Sequence, residues 1–265
     1  MSKWFNFELE YLEYHYVDGD PVQSIGEVLG RSTKSILSKA TYLNLFREYK
    51  PFKQPYDEDF FNKNAWTKEL AYTVGIVITD GHVSKFPKKF IDIEMCDKDV
   101  LEKIARSINY TGNILEKSDG NIKHNNSYYV RLSGKKVWDF FTDLGLNNRK
   151  SYTCILPNIP HKFMKSFLRG VCDGDGSINI DKCGNPRVEI SGTKQFIEGI
   201  IAVVPIKGSF YSKLGGNTYC IKYSSKNALS FLHLIYEDSN ESIRMSRKYS
   251  KYLDVLDIAL QKGWG

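Results

Sequence analysis

One pattern occurs twice between residues 65 and 265. The stretch 73–81, TVGIVITDG, aligns with 168–176, LRGVCDGDG, at an offset of 175 − 80 = 95. The same offset carries Ile93, Glu94 and Met95 onto Val188, Glu189 and Ile190. YVRLSGK at 129–135 matches CIKYSSK at 220–226 with an offset of 91, and NRKSY at 148–152 matches SRKYS at 246–250 with an offset of 98. Four collinear matches with small drifts mean two copies of one unit, which restricts the fold to a pseudo-symmetric pair of halves, 65–155 and 156–265.

Each copy reads helix, two strands, helix, two strands, helix. The first copy places these at 66–80, 82–86 with 89–96, 98–109, 112–118 with 127–133, and 135–145. The second places them at 161–175, 177–182 with 186–191, 194–204, 208–214 with 217–224, and 227–237. The strands alternate: Ile91, Ile93 and Met95 against Asp92 and Glu94, and Ile178 and Ile180 against Ser177, Asn179 and Asp181. Such alternation buries one face and wets the other, as an antiparallel sheet with helices on a single side requires. The fold class is α+β.

Residues 1–46 carry a different period and read as three short helices. Leu9, Leu12 and Tyr16 mark the first, and Asp18 to Pro21 break it. Ile25, Val28 and Leu29 face inward on the second, which Gly30 stops; Ser32 or Thr33 caps a third carrying Ile36, Ala40 and Leu43. Acids dominate before Gly30, whereas 31–50 holds Arg31, Lys34, Lys39, Arg47 and Lys50 against Glu48 alone. The stretch SIGEVLGRSTKSI resembles helix-turn-helix segments of bacterial and phage regulators. That resemblance puts Arg31, Lys34 and Lys39 on a recognition helix facing DNA. Residues 47–64, with Pro51 and Pro55, read as an extended linker.

Composition narrows the class. The 37 Lys and Arg exceed the 31 Asp and Glu, giving +6, which suits an anionic partner. No apolar run approaches a membrane span, and no signal peptide pattern opens the chain. The cysteines (Cys96, Cys154, Cys172, Cys183, Cys220) are odd in number and unclustered, against a disulfide framework or structural zinc. An intracellular setting is expected: the cytoplasm, with a bacterial or phage gene, or else an organelle. The histidines are too dispersed for a histidine-based or zinc nuclease. Met1 and the closing Gly-Trp-Gly, without a terminal His-Asn, argue against an intein.

Each copy ends an apolar helix in Asp-Gly, at Asp80-Gly81 and Asp175-Gly176. A lone Asp-Gly is an ordinary helix stop. Here, small residues four apart precede both: Ala71 and Gly75, Ser166 and Gly170. That spacing lets two helix backbones approach closely. If these helices pair, Asp80 and Asp175 emerge side by side, repelling each other and the helix dipoles until a divalent cation neutralises them. Oxygen ligands suit Mg²⁺.

At this point a family resemblance is plain. GVCDGDG is close to the last seven letters of LAGLIDADG, and VGIVITDG is a looser copy. The resemblance covers about 65–255. It implies two αββαββα halves whose sheets form a DNA-binding saddle, and a monomeric homing endonuclease cutting both strands of a long double-stranded DNA target in a staggered break, using Mg²⁺ with Mn²⁺ as a substitute. The implied metal set is Thr79, Asp80, Gly81, Gly174, Asp175 and Gly176, with Asp80 and Asp175 catalytic. Ile78 stands where the second copy has Asp173, so the halves are unequal. Lys150 and Lys248 follow the third helix of each copy at 150 − 80 = 70 and 248 − 175 = 73 residues from the acids. The resemblance places a lysine beside the metals there; a phosphate-contacting or solvated lysine fits equally well. Ser84, Lys85, Lys88, Lys89 and Arg131 in copy one, and Asn179, Arg187, Lys213 and Lys222 in copy two, fall on strand positions facing DNA. The same scaffold also serves non-cleaving DNA-binding regulators and RNA maturases.

Overall fold

The computed structural model describes residues 3–47, 54–117, 126–213 and 216–264, and the chain divides into two units, Met1–Lys53 and Gln54–Gly265. The first unit holds α1 (Asn6–Val17), α2 (Val22–Leu29) and α3 (Thr33–Tyr42). Leu12, Ile25 and Ile36 form its centre, with Trp4, Tyr11 and Leu29 packed around them. Gly30 adopts φ 60°, a left-handed stop that glycine takes without strain. The cap of α3 is Ser32, whose hydroxyl accepts the Ser35 amide at 3.3 Å. Val28 is exposed rather than inward, because Ile25 and Leu29 set the buried line of this short helix and Val28 lies about 100° off Leu29.

Residues 54–64, expected to be linker, are integral to the second unit. Tyr56 is buried and donates its hydroxyl to the Ser133 carbonyl at 2.6 Å, and Phe61 inserts against Phe140 and Phe141. A short 3-10 turn, Glu58–Phe60, precedes Phe61. The remaining linker residues, 48–53, lie outside the described residues.

The duplicated unit then appears twice. The first copy is α4 (Lys68–Asp80), β1 (Gly81–Val83), β2 (Phe90–Met95), α5 (Lys98–Ser107), β3 (Leu115–Lys117), β4 (Ser127–Ser133) and α6 (Lys135–Asp143). The short α7 (Lys150–Thr153) follows. The second copy is α8 (Met164–Asp175), β5 (Ser177–Ile180), β6 (Pro186–Gly192), α9 (Lys194–Val203), β7 (Ser209–Ser212), β8 (Tyr219–Ser224) and α10 (Lys226–Tyr236). Both sheets are antiparallel with the same order, β1-β2-β4-β3 and β5-β6-β8-β7. A further 16-residue helix, α11 (Ser246–Gln261), closes the chain and was not expected. Its buried Tyr252, Val255 and Ala259 carry the helical spacing that would have revealed it.

Strand register corrects the sequence alignment. Arg131 sits opposite Asp92 in the first sheet, and Lys222 opposite Glu189 in the second. Since 222 − 131 = 91 and 189 − 92 = 97, β6 is displaced by 97 from β2, not 95. Between equivalent pairs the second hairpin holds two more residues: Val83 faces Ile91, whereas Ile178 faces Val188. A two-residue slip keeps every side chain on its own face, so alternation could not detect it.

The α4 and α8 helices cross at the centre of this unit, making the most extensive helix–helix contact among the described residues. Ala71, Gly75, Ser166 and Gly170 all lie in the crossing, buried. The apolar core runs continuously through it from one sheet to the other. The ends of the two helices are thereby brought together.

Candidate active site

Asp80 and Asp175 end α4 and α8. Gly81 and Gly176 leave each helix directly into a strand, in extended conformation at φ −82° and −71°. A left-handed stop is therefore not what these glycines supply. A Cβ on Gly81 would stand 2.7 Å from the Val77 side chain, and one on Gly176 2.8 Å from the Cys172 sulfur. Their small size allows each strand to start tight against the helix it leaves. Across the crossing, a Cβ on Gly174 would overlap the Thr79 hydroxyl and the Asp80 carboxylate. Glycine at that position lets the first acid reach over the end of the second helix.

The surroundings hold both carboxyls above their ordinary range. For Asp80 the largest cause is burial, reinforced by the charge of Asp175 and opposed by a 2.9 Å hydrogen bond from Thr79 Oγ1. For Asp175 the cause is again desolvation by the surrounding protein, although its tip is exposed, and Lys150 and Lys248 oppose it. The exposure and the desolvation agree once the site is seen as a concavity: Asp175 lines a cavity of about 400 Å³ with Thr79, Lys150, Ser191, Thr193 and Asn217. Lys248 acts on Asp80 more strongly than Lys150 does, and Lys150 acts on Asp175 more strongly than Lys248 does. Each acid thus feels most the lysine of the opposite half.

Both lysines sit on helix carbonyls, not on the acids. Lys150 Nζ donates to the Ile78 and Thr79 carbonyls at 2.8 and 2.7 Å. Lys248 Nζ donates to the carbonyls of Cys172, Asp173 and Gly174 at 2.8, 2.5 and 2.9 Å. A cation at a helix C-terminus satisfies carbonyls that lack an intrahelical partner and complements the dipole. Lys248 is buried and its three N–H groups are all used. Lys150 keeps one N–H without an acceptor among the described residues, and burial lowers its pKa.

In the expected metal set, the Thr79 and Gly174 carbonyls also accept the Lys150 and Lys248 ammonium groups. The Asp80 and Asp175 carboxylates offer hard oxygens: neither forms an ion pair among the described residues, and Lys150 and Lys248 act on both without direct contact. Among the described residues no group of three or more His, Cys, Asp or Glu could enclose a metal. Backbone oxygens such as those of Gly81 and Gly176, or groups from outside the chain, would have to complete a cation's shell.

Sequence reasoning gave Asp173 no role, and Arg169 was missed. Both are fully buried on α8. Arg169 donates to the Ile235 and Ile243 carbonyls and pairs with Asp238 at 3.0 Å. Asp173 accepts from Tyr72 at 2.9 Å, from Tyr236, and from the Met245 amide at 2.7 Å. The counterparts at offset 95 are Val74 and Ile78, so an apolar pair in one half becomes a satisfied polar network in the other. An arginine midway along the repeated helix, where the first copy has Val74, was the available signal.

The polar strand faces carry most of the remaining candidates, usually with an acid beside each base. Arg131 pairs with Asp92 through two contacts of 2.7 Å, Arg187 with Asp181 at 2.8 Å and Lys213 with Glu189 at 3.2 Å. Exposed pairs of this kind hold weakly and can exchange for phosphate. Lys222 lies over the Tyr211 ring, Asn179 is exposed, Lys85 and Lys88 project from the turn after β1, and Lys89 lies against Phe86 and Trp138. Ser84 is not on this face: it is buried, with its hydroxyl donating to the Lys88 carbonyl and accepting the Phe90 amide. In the first unit Lys34 is exposed and Lys39 lies over Tyr42. Arg31 is withdrawn from solvent, bound to buried Glu8 at 2.7 and 2.8 Å and stacked on Trp4.

No family model matches the sequence. Among curated proteins, the DNA-directed RNA polymerase subunit Rpo1C of Methanocaldococcus jannaschii is 26% identical over 69% of this chain and 20% of its own length. An uncharacterized protein of the same organism is 29% identical over 59% of each chain. Its probable translation initiation factor IF-2 is 26% identical over 71% of this chain and 17% of the factor. The chain thus spans well under two thirds of each relative. Among solved structures, a double mutant of I-SmaMI aligns over 74% of this chain and 91% of that one, with 14% identity and a TM-score of 0.50. I-SmaMI, described as a LAGLIDADG homing endonuclease in a complex with cleaved DNA, aligns over 74% and 89% at 15% identity and 0.47. The I-LtrWI LAGLIDADG homing endonuclease bound to target DNA aligns over 78% and 92% at 14% identity and 0.48. With its paired αββαββα halves meeting at α4 and α8, the chain has the single-chain LAGLIDADG homing endonuclease fold.

Proposed function

We propose that the protein is a site-specific DNA endonuclease that makes a staggered double-strand break by metal-dependent phosphodiester hydrolysis. The observation that carries this reading is the meeting of Asp80 and Asp175 at the crossed ends of α4 and α8, both raised in pKa and neither ion-paired among the described residues. A structural carboxylate in a fold is ordinarily matched by a cation; two without an ion pair, Asp175 lining a cavity and Asp80 hydrogen-bonded by Thr79, suit a site completed from outside.

Asp80 and Asp175 would hold Mg²⁺ or Mn²⁺, and Ca²⁺ would bind without supporting hydrolysis. When bound, the cation supplies charge to the attacking water and to the phosphate. The chain's own residues do the rest. Lys150 offers its remaining N–H to a phosphate oxygen in the cavity beside Asp175. Lys248 holds the end of α8 so that Asp175 is presented in one orientation. Both acids come from one polypeptide, so a monomer can address two strands.

Duplex DNA would lie along the strand faces, with Arg131, Arg187, Lys213 and Lys222 trading acidic neighbours for phosphates or guanine edges. Unequal faces suit an asymmetric target. Lys34 and Lys39 would add contacts from the first unit. The relatives named for polymerase and translation match through a small part of their lengths and share no such activity with one another, so neither activity is carried over.

Incubation with a randomised duplex library and Mg²⁺, followed by sequencing of the cut ends, tests the reading. A single recovered site with staggered ends supports it. Tight, specific duplex binding with intact strands would make the chain a DNA-binding regulator, and preference for a structured RNA would make it a maturase.

A further inference from the structure

We propose that Asp173 is a positioning residue that seats Lys248, and through it the Asp175 arm, by holding the amide of Met245. The proposal rests on the nuclease reading. Asp173 lies in the last turn of α8, and its Oδ2 accepts the Met245 N–H at 2.7 Å and the Tyr72 hydroxyl at 2.9 Å, while Oδ1 accepts the Tyr236 hydroxyl. Met245 is the residue before α11, and Lys248 lies in the first turn of that helix. From there the ammonium returns to α8 and binds the carbonyls of Cys172, Asp173 and Gly174. The two helix ends therefore hold each other: a carboxylate of α8 takes the amide of the residue that precedes α11, and a cation of α11 takes the last carbonyls of α8.

The same short segment is held from the other side by the first half. Asp99 accepts the Ser246 amide at 3.0 Å, and buried Lys103 donates to the Arg244 carbonyl at 2.8 Å and the Ser246 hydroxyl at 2.9 Å. Residues 244–246 are thus pinned between α8 and α5, and Lys248 has one place to go. In the first half the segment before α7 is held by Asn147, which bonds Arg149, Lys150 and Thr153. Ile78 occupies the position of Asp173, and Lys150 on the four-residue α7 caps α4 with no carboxylate returning from α4. The two acid arms are therefore held unequally, and loss of the latch should affect the two strands unequally.

Four full-length variants test this: Asp173→Ala, Asp173→Asn, Met245→Pro and Met245→Ala. Proline deletes the amide donor yet accepts the backbone found there, φ −76° and ψ 122°. Alanine at 245 loses the same side chain and keeps the N–H. Asparagine at 173 retains one acceptor for Met245. Two quantities are measured: the cleavage rate of each labelled strand in Mg²⁺, and the rate of reductive methylation of Lys248 read by mass spectrometry. Asp173→Ala and Met245→Pro should raise Lys248 methylation about tenfold and slow one strand about tenfold to a hundredfold, more than the other, as a displaced catalytic group does. Asp173→Asn and Met245→Ala should stay within about threefold of wild type by the same measure. Unchanged Lys248 protection in Asp173→Ala or Met245→Pro overturns the latch, and so does asparagine no better than alanine. If Asp173→Ala does not fold, the Met245 pair decides. A wild-type protein that cuts no duplex overturns the nuclease reading, and methylation alone then decides the latch.

Discussion

Gly75 and Gly170 meet backbone to backbone where α4 crosses α8: a Cβ on Gly75 would stand 2.8 Å from the Gly170 Cα, and one on Gly170 3.0 Å from the Gly75 Cα. The same methyls would overlap the Phe167 and Tyr72 carbonyl oxygens. Those obstacles are backbone, which cannot swing aside. The closeness of the two acids follows from this contact, since helices held farther apart would deliver Asp80 and Asp175 to separate places.

Gly75→Ala or Gly170→Ala should therefore destabilise the second unit by about 3 kcal/mol, the upper range of overpacking in a dense core. Urea denaturation of each variant measures this. A loss below about 1 kcal/mol would mean that the crossing can relax, and that the glycines do not set the spacing.

The lysine caps predict a second asymmetry. Lys248→Met strands the Asp173 and Gly174 carbonyls in a buried setting, that of Cys172 keeping the Gly176 N–H, and should cost about 1–3 kcal/mol, while Lys150→Met, at a more open site, should cost less. Parallel denaturation curves compare them. Equal losses would remove the distinction between a buried cap and a cavity-facing amine.

Stability should also carry a signature of Asp173. Burial pushes its carboxyl up to about 6, against hydrogen bonds from Tyr236, Met245 and Tyr72 that favour the charged form. The unfolded residue titrates near ~3.9. Between those values the folded protein keeps a proton that the unfolded chain has released, so stability falls as pH rises through the window and levels off above it. Asp80 and Asp175 act in the same direction, so the quantity to measure is the difference between wild type and Asp173→Asn, in chelator. That difference should change between about pH 4 and pH 6 and be constant at neutral pH. A constant difference across the whole range would contradict the burial argument.

Much of this architecture could be read from the chain because duplication and period are properties of order. The repeat gave the two halves, alternation gave the faces, and small residues at Ala71, Gly75, Ser166 and Gly170 gave the crossing. What escaped depends on contacts between distant segments. The two-residue slip of β6 is invisible to a period of two. Arg31 looked like a recognition residue until Glu8, 23 positions earlier in sequence, was found beneath it. Ser84 looked like a polar strand position, but its hydroxyl closes the turn before β2. Lys150 and Lys248 sit on helix carbonyls, an engagement that depends on where α7 and α11 lie, and α11 had not been anticipated at all.

The first unit offers a separate test. Deleting residues 1–53 should leave the remaining unit folded, because that unit has its own continuous core. Lys34→Ala and Lys39→Ala should each lower the salt dependence of duplex binding by about one unit of slope per lost phosphate contact. Arg31→Ala should instead unfold or loosen the unit, since it removes the partner of buried Glu8. Unchanged slopes in both lysine variants would mean that α3 does not meet DNA.

The most direct measurement of the central claim is cleavage of the recovered duplex by Asp80→Asn and Asp175→Asn in Mg²⁺, with duplex affinity measured on the same samples. Each substitution removes one carboxylate charge from a site where the two act together, so double-strand cleavage should fall by several orders of magnitude while affinity in Ca²⁺ and folding stay near wild type. Wild-type cleavage by either variant, or cleavage by the parent protein in excess EDTA, would contradict the account.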